Sequence, residues 1–371
     1  HPWIFESGIS KVSDNGAAGD LAIVFDQRRN KVMAVGLFDP HSPIRIKVLH
    51  HGGPANINAD FFTKKIKTAY QKRQTLFKTD TNSYRLIHGE NDGLPSLITD
   101  IYATTAVVKI YSTIWLPYLK IVLPIIETVA HCENIILRMS RNVQKLGSYL
   151  HGLTDGQFIK GHLDDPIVYF KEHGLTLAAH VISGHKTGFF LDHRHNRKEV
   201  GKLAKNKKVL DVFSYAGGFS VHALAGGAKE VLSLDISQPA LDMAIQNATL
   251  NNVHHKHGIL CKDAFQGLKE LGALGKQFDL IVIDPPSFAK SEKERSKALE
   301  MYQKLTQLAL PLCAPNAILL LASCSSRIQA DTFFELQTTI LSSSGRQTRE
   351  LKRTLHDADH PIGFEEGAYL K

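Results

Sequence analysis

From residue 171 to residue 371 two kinds of segment alternate, and this alternation restricts the fold more than any other feature of the chain. "KKVLDVF", "EVLSLDI", "FDLIVIDPP" and "AILLLAS" are apolar runs of strand length. Between them "FSVHALAGGA", "SQPALDMAIQNATLNN" and "KERSKALEMYQKLTQLAL" read as helices. Strands that are apolar on both faces need cover on both faces, so the pattern predicts a mostly parallel α/β sheet with helices on each side. Ligands of such sheets sit at the carboxyl ends of the strands, beside the point where strand order reverses. The residues that end each run are therefore the candidates for function.

The first run ends in "DVFSYAGGFS", which lacks G-x-G-x-x-G but pairs Gly217 with Gly218, so that backbone can approach a ligand closely. Asp211, Phe213 and Ser214 border that turn. The second run ends in Asp235, followed by Ile236; its carboxylate can accept both hydroxyls of a ribose. Asp263 and Ala264 hold the same position after the third run, where an acid could meet an adenine amino group, and the fourth ends in "DPPSFAK". A single strand-terminal Asp is often only a helix cap. Four such signals in order at one edge indicate an adenosine-containing cofactor without a pyrophosphate grip, which favours S-adenosylmethionine over NAD.

The rest of the chain reads differently. Residues 1–75 form a β-rich unit, with "LAIVFDQRRNKVMAVGLFD" as two strands joined near Arg29-Asn30, followed by a basic helix. Residues 76–170 read as a central α+β unit, and 171–371 as the cofactor-binding domain. A formal charge of +8 suits a polyanionic partner such as RNA. Four cysteines without a C-x-x-C pair argue against a zinc knuckle or a disulfide scaffold, and "VHHKHG" reads as a loop rather than a metal site, so no metal is expected. "WLPYLKIVLPIIETVA" is broken by Pro117, Lys120, Pro124 and Glu127, so no membrane span is expected. No signal peptide is apparent at the start, which predicts a cytoplasmic protein, and the beginning at His1 suggests that a few residues precede it.

The chain resembles the bacterial 23S ribosomal RNA 5-methylcytosine methyltransferases of the large-subunit methyltransferase I type. The motifs that carry the resemblance are "HPWIF", "GHKTGFFLDHRHNR", "DVFSYAGGFSVHALAGGAKEVLSLDIS", "DPPSFAK", "LASCSS" and "DHPIGFEEGAYLK". It implies an N-terminal PUA domain, a class I S-adenosylmethionine-dependent methyltransferase sheet of Rossmann-like form, and 23S rRNA as partner; a homodimer is compatible with it. It also implies that Asp211 and Gly217 line the methionine side of the cofactor, Asp235 the ribose and Asp263 the adenine.

That chemistry gives Cys324, in "LLLASCSSRI", a task. Carbon 5 of cytosine is too weak a nucleophile to take a methyl group until a nucleophile has added at carbon 6, and a thiolate is the natural choice. Ser323, Ser325 and Arg327 make the surroundings polar, which favours a nucleophile over a small core residue, whereas Cys313 in "LPLCAPN" reads as structural. In "DPPSFAK", Pro285 and Pro286 stiffen the loop, Asp284 faces the base and the cofactor, and Phe288 stacks on the base. Lys186 and Arg194 suit the methionine carboxylate or an RNA phosphate, with Phe189 and Phe190 packing as a lid. Two rival readings are a methyltransferase for another base atom, such as guanine nitrogen 7, and an RNA-binding assembly protein with an inactive cofactor site.

Overall fold

The computed structural model describes residues 1–13, 16–26, 28–289 and 291–371. The chain divides into two compact units. The first comprises His1–Gly174, Ala179–Leu191 and Ala358–Gly367; the second comprises Leu175–Ala178, Asp192–Asp357 and Ala368–Lys371.

The first unit opens with β1 (Trp3–Phe5), β2 (Leu21–Asp26), β3 (Lys31–Phe38) and β4 (Ile44–His51), an antiparallel sheet in the order β1-β4-β3-β2. The turn expected near Arg29-Asn30 joins β2 to β3, and Asn30 takes a φ of 47° there. α1 (Ala59–Phe77) follows, capped by the side chain of Asn58, which accepts from Phe61 N. A second sheet holds β5 (Ser83–His88), β6 (Leu97–Tyr102), β7 (Thr105–Ile110), β8 (Asn134–Met139) and β9 (Gln157–Lys160) in that order. Phe62 and Ile66 of α1 are fully buried in one core with Leu37 and Leu49 of the first sheet and Leu86 and Val108 of the second. The boundary expected after residue 75 runs through the last turn of that helix.

Thr113–Ala130 has a mean hydropathy of 1.4 over 18 residues, enough to cross a membrane by length and composition, although its prolines and charges argued otherwise. Only α2 (Leu119–Ala130) of this stretch is α-helical, the first six residues being a 3-10 turn. Val122 and Ile126 are fully buried in the core of the first unit.

The second unit is the predicted parallel sheet. Its strands β12 (Lys208–Val212), β13 (Glu230–Asp235), β14 (His257–Cys261), β15 (Phe278–Ile283) and β16 (Cys313–Leu321) run in the order β14-β13-β12-β15-β16, every neighbouring pair parallel. Before it come α3 (Arg141–Gln144), the hairpin β10 (Ile167–Glu172) and β11 (Leu175–His180), and α4 (Arg194–Leu203). Between and after its strands lie α5 (Gly218–Ala225), α6 (Gln238–Leu250), α7 (Ala264–Ala273), α8 (Arg295–Ala309) and α9 (Ala330–Ser342). Strand order reverses at β12, whose neighbours are β13 and β15. Because Val212 pairs with Leu234 and Ile283, and Ile283 with Leu321, the strands end level with one another. Their terminal residues accordingly share one edge.

Candidate active site

The turn after β12 is held in an unusual shape. Phe213, Tyr215 and Gly217 have φ of 64°, 47° and 73°, in the left-handed region that non-glycine residues rarely adopt. Neighbouring groups enforce it: Phe213 N and Ser214 N donate to Leu234 O at 2.9 and 3.2 Å. Tyr215 N donates to Asp235 Oδ2 at 2.9 Å, and Asn247 Nδ2 donates to Ala216 O at 2.8 Å. Gly217 precedes α5, where a Cβ would stand 2.7 Å from the Cβ of Ala244. The glycine is thus required by the packing of α5 on α6 as well as by its φ.

Three carboxylates gather at this edge. Asp211 is buried, and its Oδ2 accepts from Ser220 N at 3.0 Å and Ser220 Oγ at 2.6 Å. Burial pushes its carboxyl up to about 7; the Ser220 hydroxyl opposes this, while the charges of Asp284 and Asp235 add to it. Asp235 Oδ1 accepts from Ser237 N at 2.9 Å, leaving each of its oxygens a further lone pair. Asp263 takes the cap position: its Oδ1 accepts from Phe265 N and Gln266 N at 3.0 and 3.1 Å, and Ala264 is buried behind it as the first residue of α7. Ile236 stands 72% exposed beside Asp235 and offers an apolar surface at this edge.

Two buried polar atoms here, Asp211 Oδ1 and Ser214 Oγ, have no hydrogen-bond partner among the described residues. Such atoms are costly to leave unmatched. A ligand that brings positive charge and donors relieves both the vacant acceptor and the mutual repulsion of the carboxylates. S-adenosylmethionine, with its sulfonium and ammonium, fits this donor-poor, acidic edge better than an anionic pyrophosphate.

Next to it, β15 ends in Asp284, whose N donates to Val212 O at 3.4 Å. His193, buried just before α4, stands with Nε2 3.4 Å from Asp284 Oδ1, an ion-pair distance, while its Nδ1 lies 2.9 Å from Asn196 Nδ2. Burial disfavours the imidazolium, but Asp284 outweighs it and holds the ring above its ordinary value. Nothing in the sequence singles His193 out from its polar motif. Only the fold brings it to an aspartate 91 positions further on.

Cys324 follows β16, half-buried, with Sγ 3.6 Å from the carbonyl oxygen of Pro285. Pro285 is buried and Pro286 exposed; Phe288 is half-buried with its ring edge-on to Tyr302 at 5.1 Å. Lys290, which ends this motif, lies outside the described residues. The Tyr302 hydroxyl meets Ser323 Oγ at 2.9 Å, and burial pushes it up to about 12. The other thiols differ. Burial pushes Cys132 up to about 12 and raises Cys313, whose Sγ donates to Ala309 O, while Cys261 is exposed at the end of β14.

The remaining candidates scatter. Arg194 is fully buried rather than solvated, with Nη1 3.7 Å from Asp357 Oδ2. Lys186 belongs to the first unit, with Nζ 4.6 Å over the Phe190 ring. Phe189 is no lid: it is 3% exposed in the first unit, its ring against Phe170 and its backbone bonded to the Tyr102 hydroxyl. In "VHHKHG", His254–Lys256 form a 3-10 turn, while His257 begins β14 with Nε2 2.7 Å from Ser233 Oγ.

Known proteins resemble this chain. Residues 163–349 match the family described as S-adenosylmethionine-dependent methyltransferase, and residues 1–51 a PUA-like domain. A ribosomal RNA large subunit methyltransferase from Deinococcus radiodurans is 41% identical over 100% of this chain and 92% of its own length. The ribosomal RNA large subunit methyltransferase I of Aeromonas salmonicida is 35% identical over 100% of this chain and 94% of its own. A methyltransferase crystal structure complexed with S-adenosylhomocysteine superposes at a TM-score of 0.83 with 20% identity, covering 100% of this chain and 93% of that one. At that identity the likeness concerns the fold.

Proposed function

The chain belongs to the ribosomal RNA large subunit methyltransferase I family of S-adenosylmethionine-dependent RNA methyltransferases, and from that premise we propose that it methylates carbon 5 of a cytosine in 23S rRNA through a covalent bond to Cys324. The observation that carries the reading is the position of Cys324, whose half-buried Sγ lies against the Pro285 carbonyl of the loop that begins with Asp284. Cys132 and Cys313 are buried with their thiols held protonated, so they are unsuited to attack.

In this reading Asp211, Phe213, Ser214 and Gly217 hold the methionine part of the cofactor, Asp235 and Ile236 the ribose, and Asp263 and Ala264 the adenine. When bound, S-adenosylmethionine supplies an electrophilic methyl group. The Cys324 thiolate adds to carbon 6 of a flipped cytosine, which makes carbon 5 nucleophilic; after methylation carbon 5 loses its proton and the carbon–sulfur bond breaks, returning the thiolate. Asp284 bonds the cytosine ring nitrogen or amino group during addition, oriented by His193 at 3.4 Å. Pro285, Pro286 and Phe288 form the wall for the base. The PUA-like residues 1–75 and the central residues 76–170 grip RNA in the cytoplasm, and a homodimer would show as doubled mass in sedimentation.

RNA carrying 5-fluorocytosine at the target tests this directly, because fluorine cannot leave carbon 5 as a proton does. The parent protein becomes trapped on that RNA. Cys324→Ala forms no adduct and transfers no methyl group while still binding S-adenosylmethionine, and Cys313→Ala behaves as the parent. Methylation by Cys324→Ala near the parent rate, or a methylated guanine as product, refutes the proposal.

A further inference from the structure

The segment Ala368–Lys371 belongs to the second unit and lies along the residues around Cys324. Ser323 N donates to Lys371 O at 2.9 Å, and Lys371 N donates to Ser323 O at 3.1 Å. The lysine side chain turns the other way round the cysteine: its Nζ donates to the Ser325 carbonyl, and to that of Tyr369 at 3.0 Å. One residue therefore grips both chain neighbours of Cys324, with its backbone on one side and its ammonium on the other.

The placement is costly unless the charge has a use. Lys371 is 3% exposed, and a buried ammonium without a counter-charge loses several kcal/mol of hydration. Among the described residues no carboxylate stands within ion-pair distance of Nζ. Two of its three N–H groups go to neutral carbonyls. Burial lowers its proton affinity to about 8, and the one charged group that acts in the opposite sense is Cys324. A cation still mostly protonated at neutral pH therefore lies within electrostatic reach of the sulfur.

We propose that Lys371 is a positioning residue whose buried ammonium keeps Cys324 as the thiolate, so that the nucleophile is charged before RNA arrives. The inference rests on the reading of Cys324 as the attacking group. Its proton balance is simple: the thiol proton passes to solvent water, Lys371 keeps all three of its own, and no bond to Nζ forms or breaks. Among the described residues, Tyr302, Asp284, His193 and Arg327 do not supply this charge. Tyr302 of α8 is held un-ionised and bonded to Ser323, Asp284 after β15 opposes a second negative charge, and His193 is engaged with that aspartate rather than with the sulfur. Arg327 is exposed, its N bonded to Ser325 Oγ at 3.3 Å.

The test is the pH dependence of Cys324 alkylation by iodoacetamide in the full chain, read peptide by peptide by mass spectrometry with exposed Cys261 as internal reference. In the parent, Cys324 reaches half-maximal rate below the ordinary thiol value of about 8.5. In Lys371→Met and Lys371→Gln that midpoint moves up by about one unit or more, lowering the rate at neutral pH about tenfold while the alkaline limit stays the same. A purely structural tie would change S-adenosylmethionine affinity or the alkaline limit instead. A parent midpoint at or above that of Cys261 overturns the proposal whether or not the variants fold, and so does an unmoved midpoint in a variant that binds the cofactor as the parent does. Failure of the nucleophile reading is separate, because it appears as methylation by Cys324→Ala whatever the alkylation profile.

Discussion

A carboxyl group that titrates near neutrality makes the binding of a cationic ligand beside it depend on pH, which turns the proposed place of Asp211 next to the cofactor into a measurable one. Burial raises Asp211 from 3.8 to about 7, with Asp284 and Asp235 contributing. For stability the sign follows from proton counting: between these values the folded state holds a proton that the unfolded chain has lost. The favourable contribution of the protonated group is therefore complete below 3.8 and disappears as pH rises toward about 7. For binding the sign is opposite, because a cationic cofactor prefers the carboxylate and its arrival below pH 7 expels a proton. S-adenosylmethionine affinity should accordingly rise steeply from about pH 5 to about pH 7, approaching tenfold per unit at the acid end, and level off above about pH 8. Calorimetry across this range in two buffers of different ionisation heat reads both affinity and proton release. Asp211→Asn should bind more weakly at pH 8 and lose the dependence; a parent affinity flat across the range would remove Asp211 from the cofactor's surroundings.

At the scale of the element, the turn between β12 and α5 makes the same case through backbone. Gly217→Ala puts a Cβ 2.7 Å from Ala244 at a φ of 73°, so it should cost about 1–3 kcal/mol and weaken cofactor binding by shifting the turn. Chemical denaturation measures the first and calorimetry the second. Gly147→Ala, with nothing within 4 Å of the new carbon and no positive φ, should be nearly neutral. This turn also marks how far sequence reasoning reaches. The strands of the second unit are legible because burial on both faces makes them uninterrupted apolar runs, with Val209, Leu210 and Val212 of β12 all at most 1% exposed. Their terminal residues were legible for the same reason, since a parallel sheet of known order brings Asp211, Asp235, Asp284 and Cys324 to one edge. His193 and Lys371 were not, because each meets its partner only through a long-range contact that leaves no period or spacing in the chain. The lid reading of Phe189 failed because a motif dense in polar residues concealed one ring buried in the first unit's core.

For the whole molecule the question is how a net charge of +8 is used. A surplus of cations confers sequence-independent affinity for RNA by releasing counterions, so binding should weaken linearly on a log–log plot against salt, by about 0.7 per phosphate contacted on single strands. In the PUA-like region, Arg28 and Arg29 stand exposed at the turn from β2 to β3, and the Arg29 guanidinium pairs with Asp26 at 3.6 Å near the surface. Such a pairing is worth little and leaves the guanidinium available to a phosphate. Arg28→Gln with Arg29→Gln should therefore weaken binding to a ribosomal RNA fragment and reduce the salt slope by about 1.4, the share of two contacts. Neither residue carries core packing, so the melting temperature should stay at the parent value. S-adenosylmethionine affinity, proposed to be set at the strand ends of the second unit, should stay with it. Filter binding across a salt series on parent and variant decides the matter. An unchanged slope would mean that the β2–β3 turn points its charge at water, and that RNA is held by other cations of the chain.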